Sequence, residues 1–168
     1  NYRLGRNQEA GTEFKKAQRI VRQADLSDDV KAATQNCIAV LLFHTESSKS
    51  SVILQKFMES LHIFRKERGE KSKEVATILN NIGRVHYLDG DYDAARSIYE
   101  EALAIRTTLD DVDEIDVAAT MCNTGQTYHQ QGSLEQAMKY YQKFLAIAEK
   151  RLGSNHRDIA IILKCIAE

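Results

Sequence analysis

A period of 42 residues constrains this chain more than any other feature. Asn81-Ile82-Gly83 returns 42 residues later as Asn123-Thr124-Gly125. At the same offset Gly90 meets Gly132, Ala95 meets Ala137, and Tyr99 meets Tyr141. Leu103-Ala104-Ile105 likewise meets Leu145-Ala146-Ile147. One period earlier stands Leu61-His62-Ile63, with Phe57 at the tyrosine position. Near the start, Gly5, Ala10, Phe14, Ala17 and Ile20 repeat the spacing of Gly90, Ala95, Tyr99, Ala102 and Ile105. That offset is 85 residues, one more than two periods. A short insertion therefore lies between, and the serine-rich turn Ser47-Ser48-Lys49-Ser50-Ser51 is the expected place. A fixed period of this length makes the fold a stack of similar units, each burying its apolar face on its neighbours.

Each unit reads as two helices. Ala137, Tyr140, Tyr141, Phe144, Leu145 and Ala148 recur at three- and four-residue spacing, which places them on one helical face. Ser133 precedes them and Gln136 follows three residues on, the pattern of a capping box. The equivalent helix one unit earlier begins near Asp91 and carries Ala95, Ile98, Tyr99, Ala102 and Ile105. The first helices are expected from about Val75 to Leu88 and from Asp116 to Gln130. Gly90 and Gly132 fall where the chain must reverse, a position that favours a left-handed residue. Small residues at 83, 95, 102, 125 and 137 let helices approach closely. The aromatic residues at 57, 99 and 141 are expected to fill the gap to the neighbouring unit.

The domain reading follows from this register. Residues 1–168 form a single helical-repeat domain, with a partial unit at 1–25. Units follow at about 28–67, 73–109 and 114–151, and a partial unit at 156–168. Truncated end units suggest a fragment of a longer protein. They would also leave apolar surface through which copies could pair as a homo-oligomer.

Composition narrows the function classes. The 168 residues contain no proline, which a run of consecutive helices tolerates and a loop-rich fold seldom does. A formal net charge of −1 gives no general attraction for nucleic acid or acidic membranes. No apolar run approaches the length of a membrane span. Cys37, Cys122 and Cys165 are dispersed, the pattern of reduced thiols in a cytoplasmic protein.

Other signals are weak. Asp110, Asp111, Asp113, Glu114 and Asp116 hint at a calcium loop. Counted from Asp111, its sixth position is Asp116 rather than glycine and its twelfth is Cys122 rather than glutamate, so the acids read as a solvated linker and helix cap. Arg65-Lys66-Glu67-Arg68-Gly69-Glu70-Lys71 reads as a helix end, with cations near the last carbonyls. Histidines 44, 62, 86, 129 and 156 form no zinc pair. Cys122 and His129 lie seven apart on one face but define no catalytic pair. No phosphate-binding loop is present. The expectation is a protein that is not an enzyme and uses no cofactor or metal.

At these same residues the chain resembles a tetratricopeptide array. Gly83 and Gly125 match the small residue of the first helix, and Gly90 and Gly132 match the turn glycine. Ala95, Tyr99 and Ala102, then Ala137 and Tyr141, match the second helix, with Phe144 a departure. The 42-residue period resembles the repeats of kinesin light chain. That pattern is echoed by Glu74-Val75-Ala76, Leu79-Asn80-Asn81, Ala102-Leu103-Ala104-Ile105-Arg106 and Leu152-Gly153-Ser154-Asn155-His156. Arg157 replaces the linker proline. The linker Thr108-Leu109-Asp110-Asp111-Val112-Asp113 has lost its glycine and histidine. Ser48 and Ile53 stand at the glycine and alanine positions of the degenerate unit around 30–65.

The resemblance implies an all-α fold, a right-handed superhelical solenoid of antiparallel helix pairs. It implies a protein–protein interaction scaffold that binds a peptide or protein segment in its concave groove. The alternatives are a cargo adaptor of the kinesin light chain kind and a self-association module. First helices would line the groove, with Thr77, Asn80, Asn81, Arg84, Tyr87 and Leu88 in one unit. The next would supply Ala119, Cys122, Asn123, Gln126, His129 and Gln130, and Asn36 would join the same column. An asparagine side chain both donates and accepts, so it can hold the backbone of an extended peptide. The competing reading is that Asn81 and Asn123 bond neighbouring helices. The groove lacks the repeated lysines that would grip a C-terminal carboxylate.

The repeat also predicts a stability effect. Replacing Ala95 or Ala137 by a bulky charged residue should cost about 2–5 kcal/mol, through overpacking and charge burial. Urea denaturation of each variant measures this.

Overall fold

The computed structural model describes residues 26–45 and 49–167, together with Lys16 and Arg19. The described residues form α-helices joined by short turns and contain no strand. The residues Gly5 to Ile20 that repeat the glycine–alanine spacing lie outside the described set, as do Ser47 and Ser48. The chain divides into two compact units, residues 1–70 and 71–168.

The first unit contains α1 (Asp28–Thr45) and α2 (Ser50–Arg68). Ala32, Ile38 and Ala39 of α1 are buried, as are Ile53, Phe57, Leu61 and Phe64 of α2. The buried Ser60 hydroxyl donates to the Ala32 carbonyl at 2.7 Å, so this polar group carries its own partner into the core. Arg68 donates to Asp29 at 2.6 Å between the two helices. Ser50 and Ser51, expected in the turn, instead open α2.

The second unit contains α3 (Lys73–Leu88), α4 (Tyr92–Thr107), α5 (Glu114–Gln130), α6 (Leu134–Leu152) and α7 (Arg157–Ala167). The first helices start two residues earlier than the apolar pattern suggests, because their caps lie further out. The Ser72 side chain accepts from the Val75 amide at 3.3 Å. Asp113 accepts from the Ile115 amide at 3.0 Å, so an acid of the linker cluster does cap α5. Asp91 caps α4, accepting from the Ala94 amide at 3.2 Å. Ser133 occupies the matching position before α6 but makes no side-chain cap bond, so no capping box forms with the exposed Gln136. The backbones at Asp91 and Ser133 are nearly the same, with φ −84° in both. Ser72 caps from an extended backbone, ψ 158°, whereas Ser133 sits at ψ 66° and its shorter side chain makes no such bond.

The turns repeat faithfully. Gly90 and Gly132 adopt φ of +80° and +74°, the left-handed region expected of them. In each turn the next amide bonds back into the first helix, Asp91 to the His86 carbonyl and Ser133 to the Tyr128 carbonyl, both at 2.9 Å.

The aromatic positions act within a helix pair more than the pattern suggests. A Cβ on Gly83 would lie 2.7 Å from Cε1 of Tyr99, and one on Gly125 would lie 2.7 Å from Cε1 of Tyr141. Each tyrosine ring therefore rests on the glycine of its own partner helix. Its neighbour Tyr140 instead stacks on Tyr128, with ring centroids 5.6 Å apart.

The contact makes Gly83→Ala a defined test. The ring of Tyr99 is 1% exposed, so it has little room to yield. The substitution should cost about 1–3 kcal/mol by overpacking. Combining it with Tyr99→Leu should recover part of that loss in chemical denaturation, since the smaller side chain removes the clash.

Candidate functional site

A cleft of about 400 Å³ opens in the second unit. Helical spacing builds its polar wall: Asn80 and Arg84 lie one turn apart on α3. Ala119, Cys122, Asn123 and Gln126 occupy the matching face of α5. The other side is mostly apolar, with Phe144, Ala148 and Leu152 from α6 and Ile161 and Ile162 from α7. Ile115 and Ala118 complete the apolar surface, and Asp158 adds a carboxylate at the α7 edge. Arg84 and Asp158 thus bring charges of opposite sign to different walls.

Asn80 and Asn123 meet across this polar wall. The Asn123 amide donates to Oδ1 of Asn80 at 3.1 Å. One cross-helix bond uses one donor and one acceptor, and each side chain keeps further hydrogen-bonding capacity. The bond between neighbouring helices is therefore real, but Asn80, rather than Asn81, is the partner. Asn81 is half-buried and does not line the cleft.

The structure separates the expected groove residues. Arg84, Asn123, Gln126 and Asn80 line the cleft together. Thr77 points to structure: its hydroxyl donates to the Lys73 carbonyl at 2.8 Å and accepts from Arg106 at 3.5 Å. Tyr87 lies edge-on to Tyr92, centroids 5.5 Å apart. Burial and Tyr92 push its hydroxyl up, while a hydrogen bond from Gln130 opposes them. His129 lines a smaller cavity of about 160 Å³ with Ala137, Met138 and Cys165, and its Nδ1 lies 3.4 Å from the Tyr141 hydroxyl. Asn36 belongs to the first unit, where it is half-buried and its Oδ1 has no hydrogen-bond partner among the described residues.

Cys122 sits in the cleft wall, and burial, with Asp158 and Cys165 adding to it, pushes its thiol up to about 12. A thiol held protonated is a poor nucleophile.

Arg106, quoted above only as the end of a motif, anchors the cleft from behind. It is 3% exposed. Its Nη1 donates to the Asp116 carbonyl and the Thr120 hydroxyl, and Nη2 reaches Thr77. The end of α4 is thereby pinned to the first turns of α5 and α3. Burial pulls the guanidinium's pKa down, and Asp116 opposes that shift. The signal in the sequence was an arginine two residues after Ala104, directly following the buried Ile105.

Tetratricopeptide repeat family models match residues 30–108 and 117–158. The chain belongs to the tetratricopeptide repeat family, whose members are generally non-enzymatic protein–protein interaction scaffolds. Within it, the chain is of the kinesin light chain-like type. Its fold is that of the all-α helical-repeat solenoids. Among solved structures it is similar to BtubC (BKLC) from P. vanneervenii, at 27% identity and a TM-score of 0.77. That likeness covers 91% of this chain and 61% of BtubC, so the chain spans less than two thirds of that relative. A Podosopora anserina protein of kinesin light chain type, with nearly identical TPR-like repeats, matches at TM-score 0.74 and 16% identity. This second match covers 99% of this chain and 79% of the other. The N-terminal domain of stress-induced protein-1 from C. elegans shares the fold at TM-score 0.62 and 11% identity, covering 84% of this chain and 98% of that one. No curated protein sequence matches the chain. No described helix is long and apolar enough to cross a membrane.

The Asn80–Asn123 bond has a measurable strength. A double-mutant cycle with Asn80→Ala and Asn123→Ala should give a coupling of about 0.5–1.5 kcal/mol in thermal or urea unfolding. A coupling near zero would mean the amides do not hold α3 to α5.

Proposed function

We propose that residues 71–168 bind a short extended segment of another protein in the cleft between α3, α5, α6 and α7. One observation carries this reading: amides and a guanidinium on one wall face aliphatic surface on the other. That is the pairing an extended peptide requires. Asn80, Asn123 and Gln126 offer donors and acceptors to peptide backbone, which is the same in every sequence. The exposed Leu152 and Ile161 offer an apolar seat for a side chain, backed by the buried Phe144 and Ile162. A volume of about 400 Å³ is within the range of specific ligand pockets. Arg84 adds a charge that favours a partner carboxylate nearby.

A cargo-adaptor role of the kinesin light chain kind is a second reading, supported by the 42-residue period and the likeness to the two kinesin light chain-related folds. It uses the same cleft and differs in what the partner is attached to.

A peptide-array screen tests the cleft. Ala119 is exposed and lines it, so Ala119→Arg should fill the opening without disturbing the core. Peptides captured by the wild type should lose at least about tenfold in affinity to this variant, a change of about 1.4 kcal/mol. Asn123→Ala with Gln126→Ala should weaken them similarly. Equal affinity for all three folded proteins would place binding on another face.

A further inference from the structure

The two cysteines of the second unit fall in a contact that the repeat has already made once. Asn80 bonds Asn123 between α3 and α5, and Tyr87 bonds Gln130 between the same helices. Members of each pair are 43 residues apart. Cys122 and Cys165 are also 43 residues apart. The register is fixed by the core: Ile78, Thr120 and Ile162 follow one another at 42-residue steps and are all buried. In that register Cys122 holds the position of Asn80, and Cys165 holds that of Asn123. The two positions of the α3–α5 amide pair are thus occupied by cysteines on α5 and α7. Both thiols are free and half-buried. Both pack against one buried cluster that includes Ala118, Tyr141 and Ile162.

We propose that Cys122 and Cys165 form a redox-active pair that closes to an intrachain disulfide between α5 and α7, by exchange with a low-molecular-weight disulfide such as oxidised glutathione. The Cys165 thiolate attacks one sulfur of the small disulfide. A protein–glutathione bond forms, the small S–S bond breaks, and one glutathione leaves as a thiolate that takes up the proton Cys165 lost. Cys122 then attacks the Cys165 sulfur and releases the second glutathione, which takes the Cys122 proton. Two protein thiols are oxidised and one small disulfide is reduced to two thiols. The order follows from burial, which holds Cys122 protonated and makes it the slower first attacker. Its own attack is intramolecular and gains from proximity.

Closure has a structural consequence. A disulfide holds its Cα atoms within roughly 7 Å, so the link ties α7 to α5. Cys122 of α5 and Ile161 of α7 both line the cleft, so the link joins two of its walls. The pair needs no bound ligand, and its chemistry stands apart from the peptide-binding reading.

The full chain is incubated in glutathione redox buffers of increasing oxidation, then alkylated and mapped by mass spectrometry without reduction. The expected product is a monomer with a Cys122–Cys165 linked peptide and Cys37 unlinked to either. Backbone amide exchange in α7 should slow by about tenfold or more on closure. Cys122→Ser should stop the link and leave glutathione on Cys165. The proposal is overturned if wild-type Cys165 carries glutathione while Cys122 stays a thiol at every redox poise. It is equally overturned if the only disulfides found join two chains.

Discussion

The seating of a tyrosine ring on a glycine is the contact on which the second unit depends. At Gly83 and again at Gly125, any side chain would enter the ring of Tyr99 or Tyr141. Removing the Cβ lets a large aromatic side chain lie flat between two helix backbones, and both rings are almost fully buried. Close approach then sets where each second helix begins and how the chain must turn to reach it. The turns at Gly90 and Gly132 answer with the same left-handed backbone and the same closing amide bond. Two helix pairs with equal geometry follow from two equal contacts.

Packing between successive pairs is more polar than within them. Where α3 buries Ile78, Ile82 and Val85, α5 buries Thr120, Thr124 and Thr127. Each threonine hydroxyl donates to a carbonyl four residues back in its own helix: Asp116, Thr120 and Asn123. The hydroxyls are thereby satisfied locally, and their methyl groups remain for packing. Thr120 also accepts from Arg106, so a buried cation is held by groups that are themselves bonded. This polar seam joins α4 to α5 and leaves the outward amides of α3 and α5 free to line the cleft.

The helix pairs of the second unit were legible because small and large residues recur at fixed distance. The return of Gly83 and Tyr99 as Gly125 and Tyr141 is visible as a spacing, but that each ring rests on its own partner helix rather than on the next unit is not. Cap chemistry was legible only in part. Asp113 caps as its type suggests, whereas Ser133 does not, because reach depends on backbone angles that no sequence states. The groove column was read at the level of faces. Asn80, Arg84, Asn123 and Gln126 do share a cleft, but Thr77 and Tyr87 are bound to Arg106 and Gln130 instead. A helical face contains positions that point to solvent and positions that meet the next helix. Only packing separates them.

The sequence by itself determined the repeat, its period, the pairing of its helices and the places where glycine is obligatory. These depend on local sterics and on periodicity, which neighbouring residues encode directly. Tertiary structure decided which amides bond each other, that Arg106 is a buried clamp, and that apolar residues from α6 and α7 complete the cleft opposite α3 and α5. Those outcomes depend on distances between residues 10 to 43 positions apart. A shift of one residue in helix register would change every one of them while leaving the 42-residue pattern intact.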